Sequence, residues 1–213
     1  MARQRRIRHH VNPLGEKYAE ARAQRLSVPA HLGPHAQCDV ELGCADAQFS
    51  FELARAHPGR LVVGLEIRER VAVWGQRLAD AQALANLRIA YCNMNVDLDR
   101  VLAPQSVDRF HLLFPDPWFK PKHHKRRVIE APLLAVLHSR LRAGGELHVA
   151  SDVYEVALEV MAEIDGDPRS GFTNLSGPWR FCRDNPYGAR SRREDTTHER
   201  GQRVWRLRWR VCD

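Results

Sequence analysis

Four polar residues stand where apolar runs end, and their types suit the binding of a nucleoside. Glu41 lies at the end of Cys38–Leu42 and Glu66 at the end of Leu61–Glu66, while Asn93 follows Leu87–Cys92 and Asp116 follows Val107–Phe114. A carboxylate at the position of Glu66, a little over 20 residues after a tight turn, can accept hydrogen bonds from both hydroxyls of a ribose. An amide such as Asn93 offers one donor and one acceptor, which matches the edge of an adenine. Glu41 is placed where a carboxylate can face an ammonium group. Each residue alone has a bland reading as a strand-end or turn residue. Together they occupy the carboxyl ends of successive strands, where open α/β sheets bind ligands.

The turn that opens this series is E-L-G-C-A-D-A, Glu41 to Ala47. Gly43 stands where a tight turn needs it. A dinucleotide site also wants glycine further along, so that backbone can approach a pyrophosphate, and those places hold Ala45 and Ala47. S-adenosylmethionine has no pyrophosphate, so the turn favours a methyl donor over NAD. Opposite it, after the fourth apolar run, comes F-P-D-P-W-F-K-P-K-H-H-K-R-R, Phe114 to Arg127. Prolines on both sides hold Asp116 in a stiff, extended loop. Lys120, Lys122, Lys125, Arg126 and Arg127, with Trp118 and Phe119 among them, form a cationic and aromatic rim. Such a rim suits a phosphate backbone and a base that can stack; its bland alternative is a solvated charge run.

The elements needed to position these residues are a parallel sheet and its crossover helices. The pattern predicts strands at Cys38–Leu42, Leu61–Glu66, Leu87–Cys92, Val107–Phe114 and Glu146–Ser151. Helices are expected at Gln48–Ala56, Arg68–Leu84, Ala131–Leu141 and Val153–Ile164. In the second helix Val71, Trp74, Leu78 and Ala81 share a face, and Gly144–Gly145 ends the third. The fold class is therefore α/β, a doubly wound and mostly parallel sheet. Val204–Val211 alternates Trp205, Leu207, Trp209 and Val211 with Arg206, Arg208 and Arg210, which predicts an antiparallel last strand with one buried and one cationic face. Gly166–Arg203 reads as irregular. Residues 1–36 form a basic lead-in, and 37–213 a single domain.

A formal charge of +7 with 11 histidines argues for a polyanionic partner. Five cysteines, scattered and without C-x-x-C spacing, suit a reduced cytoplasmic protein without disulfides or a metal site. His9–His10 and His123–His124 are adjacent pairs whose side chains diverge, so neither reads as a ligand pair. No apolar run reaches the length of a membrane span, and the basic start lacks the apolar stretch of a secretory signal.

FPDPWFKPKHHKRR closely resembles the FPDPWxKxxHxKRR motif of the tRNA (guanine-N7)-methyltransferase family. The resemblance covers nearly the whole chain: R-H-H-V-N-P-L, E-L-G-C, G-L-E-I-R, the C-N after strand three, S-D-V-Y-E-V-A and the terminal V-W-R-L all fall in family positions. It implies a Rossmann-like, S-adenosylmethionine-dependent enzyme that methylates N7 of a guanine in the tRNA variable loop, without a metal. By position, Glu41, Gly43, Glu66, Asn93 and Asp116 are the implied cofactor contacts, Asp116 being also the implied catalytic residue. Lys120 and Asp152 match substrate contacts. The family's T-x-x-E substrate motif falls on Ser191, Arg192, Arg193 and Glu194 when counted without gaps from Trp205; Thr196 and Glu199 spell it only with a gap. Two departures stand out: Ala45 and Ala47 replace glycines, and Val153 replaces the aromatic residue often found after the strand-five Asp. They leave open a second reading, an RNA-binding module on this fold without catalysis.

Overall fold

The computed structural model describes residues 11–13, 15–18, 20, 22–33, 35–116 and 131–212. Seven strands form one sheet: β1 (Cys38–Leu42), β2 (Leu61–Glu66), β3 (Leu87–Tyr91), β4 (Val107–Leu113), β5 (Leu141–Ser151), β6 (Phe172–Asn174) and β7 (Trp205–Val211). Their spatial order is β3-β2-β1-β4-β5-β7-β6. The first five run parallel, and β7 pairs antiparallel with both β5 and β6. The strand order reverses between β1 and β4, so the loops after these two strands flank the crevice where doubly wound sheets bind ligands. Among the described residues six α-helices accompany the sheet: α1 (Gln48–Ala56), α2 (Glu69–Ala81), α3 (Leu98–Val101), α4 (Ala131–Arg140), α5 (Tyr154–Asp165) and α6 (Arg192–Glu199).

Strands β1 and β2 are buried at every residue, as strands covered on both faces must be. Gly64 in β2 is required by space. A Cβ there would lie 2.6 Å from Ile89 Cδ1 and 2.9 Å from Cys44 Sγ. The same economy of volume governs α2, where the buried stripe is Ala72, Gly75 and Ala79 rather than the Val71–Trp74–Leu78–Ala81 face. The helix lies so close to β3 that a Cβ on Gly75 would come within 3.0 Å of Ile89 Cγ2. Only small residues fit, and Trp74 is turned outward, 53% exposed.

The last strand corrects another expectation. Its arginine face is not a free cationic surface. Arg206 is buried against Glu194 (2.5 Å), and Arg208 and Arg210 both reach Glu146, at 2.8 and 2.9 Å. A guanidinium can cover the sheet here because a carboxylate meets it.

Beneath the sheet's centre lies a buried polar chain. His111 Nε2 is 3.2 Å from Asp39 Oδ1, and His111 Nδ1 is 3.3 Å from His148 Nδ1. The Asp39 carboxylate requires the proton on His111 Nε2, so His111 Nδ1 must accept and His148 Nδ1 must donate. That leaves His148 Nε2 as a bare acceptor, and it is a buried nitrogen without a hydrogen-bond partner. Tyr187 packs edge-on against His111 and tilted against His148.

Candidate active site

The turn between β1 and α1 has a left-handed backbone at three alternate positions: Gly43 (φ 72°), Ala45 (φ 51°) and Ala47 (φ 60°). These are the places where glycines are expected. The alanines adopt the glycine-like backbone at a steric cost of about 1–2 kcal/mol each, so the shape of the turn survives the substitutions. Its amides are tied to β2. Gly43 N and Cys44 N donate to Leu65 O (2.8 and 2.9 Å), and Ala45 N donates to Glu66 Oε2 (3.0 Å). Ala45 and Ala47 therefore do not by themselves change the backbone course of this turn.

Glu41 is buried below the turn, its Oε2 accepting from Ser50 N (3.2 Å) and Ser50 Oγ (2.5 Å) in the first turn of α1. Burial pushes its carboxyl up to about 8, against the opposing pull of the Ser50 hydrogen bonds. Glu66 is gripped on both oxygens. Oε1 accepts from Arg68 N and Nε, each at 2.8 Å, and Oε2 accepts from Arg68 Nη2 at 3.0 Å. The Arg68 guanidinium is raised above its ordinary pKa chiefly by this hydrogen bonding to Glu66, with a further contribution from the charge of Asp116. Arg68 thus links the acid after β2 to the acid after β4. Sequence reasoning passed over it, although its place two residues beyond a strand-end carboxylate was a signal.

Asp116 is aimed by its backbone. Phe114, the first residue beyond β4, takes a left-handed φ of 51° while its N donates to Ala150 O at 2.7 Å. The chain is thereby turned out of the sheet through Pro115. Trp118, Phe119, Lys120 and the Lys122–Arg127 run lie outside the described residues.

Asn93 is committed elsewhere than expected. Its Nδ2 donates to Pro13 O (2.9 Å) and Tyr18 O (3.0 Å), and its Oδ1 accepts from Asn95 N. Asp97 continues the clasp by accepting from Arg22 N and Ala23 N. Pro13, Tyr18, Arg22 and Ala23 of the lead-in therefore lie against the end of β3.

Helix α6 brings the Ser191–Glu194 group to the same rim and gives each member a different partner. Ser191 Oγ caps the helix by accepting from Glu194 N. Arg192 pairs with Asp46 in the cofactor-side turn (2.6 Å), and Arg193 with Asp152 after β5 (2.6 Å). Glu194 turns into the core toward Arg206.

Similarity to known proteins decides the family. A methyltransferase family model, described as "Putative methyltransferase", matches residues 35–207. The tRNA (guanine-N(7)-)-methyltransferase of Nostoc sp. strain PCC 7120 is 34% identical over 94% of this chain and 92% of its own. That of Thermosynechococcus vestitus is 33% identical over 97% and 95%. The chain belongs to the tRNA (guanine-N7)-methyltransferase family. Among solved structures, the 16S rRNA methyltransferase KamB superposes with a TM-score of 0.58 at 19% identity, covering 86% of this chain and 92% of that one. A SAM-dependent methyltransferase from Aquifex aeolicus gives 0.57 at 11% identity, covering 85% and 86%. At such identities these two show the shared Rossmann-like fold alone. Among the described residues of this methyltransferase no helix is long and apolar enough to cross a membrane.

The buried histidines of this methyltransferase give a test of its electrostatics. Burial holds His111 below its ordinary pKa despite the Asp39 hydrogen bond, and burial next to His111 holds His148 well below. Arg60 and Arg109 near Asp39, and Arg206 and Arg208 near His148, add to the depression, while Tyr187 covers both rings. Depressed bases are neutral in the fold, so their contribution is complete above about pH 6.5 and is lost as pH falls below it. Glu41, raised in the fold, shifts in the opposite sense, so the test is a difference. His148→Asn keeps a polar neighbour for His111. Its Tm deficit relative to wild type is expected to shrink between pH 7.5 and 5.5 by about 2–4 °C, from roughly 1 kcal/mol per histidine. Parallel Tm curves would show that His148 is not held neutral.

Proposed function

We propose that this methyltransferase transfers the methyl group of S-adenosylmethionine to N7 of a guanine in the variable loop of tRNA. The observation that carries this reading is the match, along nearly the full length of both chains, to relatives named for that reaction. The arrangement of the glycine-like turn, Glu66, Arg68 and Asp116 around one crevice supports it. The donor fits the residues present: Gly43 and the turn after it make room beside β1, Glu66 ends β2 where the ribose hydroxyls would replace the Arg68 side-chain donors on its carboxylate, and Glu41 lies below the amino-acid end. Asn93 approaches the adenine side through its backbone neighbourhood, since its amide is engaged with Pro13 and Tyr18. Lys120, Asp152 and Ser191, Arg192, Arg193 and Glu194 are the proposed substrate side, with Arg192 tied to Asp46 of the turn, Arg193 to Asp152, and Glu194 held inward on Arg206. A cytoplasmic location and a tRNA partner complete the proposal.

When bound, the cofactor's sulfonium supplies the methyl group. Guanine N7 has an in-plane lone pair and no proton, so the protein needs no general base there. What the chain supplies is alignment and a field that favours positive charge on the purine. The Asp116 carboxylate does both, accepting from the base's N–H groups and opposing the forming charge.

The direct test is incubation with labelled cofactor and bulk tRNA, followed by mapping of the label. Label on guanine N7 in the variable loop is expected; label on another base, or none, would overturn the proposal. Glu66→Gln tests the cofactor placement. Exchanging a charged acceptor for a neutral one is expected to raise the KM for S-adenosylmethionine about fivefold or more, with the KM for tRNA changed less than twofold. A change confined to the tRNA parameter would move the cofactor away from β2.

A further inference from the structure

Beyond the strand-five motif the chain gathers three aromatic rings at the rim of the sheet. Tyr154 opens α5, Phe181 lies in the segment after β6, and Trp205 begins β7. Ring centroids are 4.5 Å apart for Tyr154–Trp205, 5.0 Å for Phe181–Trp205 and 6.0 Å for Tyr154–Phe181. The guanidinium of Arg203 lies over the Trp205 ring, 4.0 Å from its centroid. Tyr154 is 42% exposed, and Phe181 and Trp205 are only partly covered.

The position of this cluster points to its use. Trp205 pairs with Ser151 across the β5–β7 ladder, one residue before Asp152. Because β7 runs antiparallel, its first residue lies at the same edge of the sheet as the carboxyl ends of β1, β2 and β4. The ribose acid and the glycine-like turn occupy the β1–β2 side of that edge, so the cluster lies on the opposite side, from which the acceptor must approach. Two exposed arginines adjoin it: Arg193, paired with Asp152, and Arg203 over the Trp205 ring. An aromatic shelf with a guanidinium plane at its edge and positive charge around it matches a nucleobase on a phosphate backbone. Apolar packing alone would not call for an arginine placed over the tryptophan ring.

We infer that Tyr154, Phe181, Trp205 and Arg203 form a stacking shelf for an unpaired nucleotide of the RNA substrate that neighbours the methylated guanine. This rests on the RNA-methylating reading and extends it by naming a second base contact, one provided by Tyr154 although Val153 occupies the usual aromatic position. The Tyr154 ring stacks on the base face, and Arg203 contributes its guanidinium plane and its charge toward the adjoining phosphate.

The test begins with wild-type methylation of tRNA; its absence would sink the functional reading rather than the shelf. With activity in hand, Tyr154→Leu keeps apolar bulk and removes the ring. It is expected to raise the KM for tRNA about fivefold or more, the scale of one lost base–aromatic stack, with the KM for S-adenosylmethionine and the Tm unchanged. Tyr154→Phe restores most of the affinity, because stacking needs the ring and not the hydroxyl. Arg203→Ala weakens tRNA and also lowers the salt dependence of binding, whereas Arg203→Lys recovers the salt dependence but not the full affinity. An unchanged tRNA KM in both Tyr154→Leu and Arg203→Ala would overturn the inference and leave the cluster as packing or as a surface for a protein partner. A Tyr154→Leu defect that Phe does not repair would overturn it as well.

Discussion

Replacement of Asp116 by asparagine is expected to lower the single-turnover rate of methylation about a hundredfold, the scale of losing one preorganised electrostatic group. No proton leaves the attacking nitrogen, so the loss cannot be one of base catalysis. Asn keeps the size and one acceptor oxygen but removes the charge that offsets the cation forming on guanine. The structure adds a second reason. The charge of Asp116 is felt at Arg68, whose guanidinium is held by Glu66. Neutralising Asp116 also removes the charge that Arg68 feels from it. The backbone that aims Asp116, the left-handed Phe114 and Pro115, does not depend on the side chain, so the variant should keep its geometry. Cofactor affinity should fall far less than the rate, because the carboxylate matters most after charge has moved. Single-turnover methylation beside cofactor titration separates the two effects. Near-normal methylation by Asp116→Asn would reduce Asp116 to a structural loop residue.

Replacing Arg206 with methionine should be the most damaging change to stability. Arg206 and Glu194 are 7% and 2% exposed and meet at 2.5 Å. Removing one member of such a pair leaves an uncompensated buried charge, at a cost of about 3–5 kcal/mol. For a chain of this length that corresponds to a fall in Tm of roughly 10 °C. Converting Glu194 to leucine in the same variant removes the stranded charge and should return most of the loss, since a packed apolar pair is often as stable as a buried ionic one. The result also settles what the Ser191–Glu194 group does. An Arg206→Met protein with wild-type Tm and a raised KM for tRNA would mean that Glu194 serves the substrate rather than the core.

Much of this was legible in the sequence where local pattern and tertiary role coincide. Strands β1 and β2 and helix α1 have the bounds the pattern predicts, because apolar runs bounded by Gly and Pro leave little choice. Strand β5 shows the opposite. Gly144–Gly145 reads as a break, yet the strand begins at Leu141, which pairs with Val107 before the register shifts. Gly144 (φ 70°) and Gly145 fall in that shift, and the continuous ladder with β4 runs from Glu146, where the pattern placed the start of the strand. Helix α6 was not foreseen because Arg192–Glu199 has no apolar stripe. It is held by a cap and by ion pairs to Asp46, Asp152 and Arg206, which hydrophobic periodicity cannot show. The candidate site was legible as residue types at strand ends, but their partners were not. Ser50 on Glu41 and the lead-in on Asn93 depend on folding that no spacing rule encodes, whereas Arg68 on Glu66 is a pairing two residues apart.

The place of β7 has a consequence for how the protein is made. The strand lies between β5 and β6, yet it follows both in sequence. Until it arrives, β5 presents a long edge of unpaired amides and carbonyls, and β6, with three residues, has nothing to pair with. Nascent chains therefore carry an open, adhesive edge from the completion of β5 at Ser151 until β7 is made, and closure waits for that strand. The ionic pairs of Arg206, Arg208 and Arg210 then act as a latch. Their acidic partners on β5 and α6 are already synthesised, and the arriving strand is drawn to them by opposite charge before its tryptophans pack.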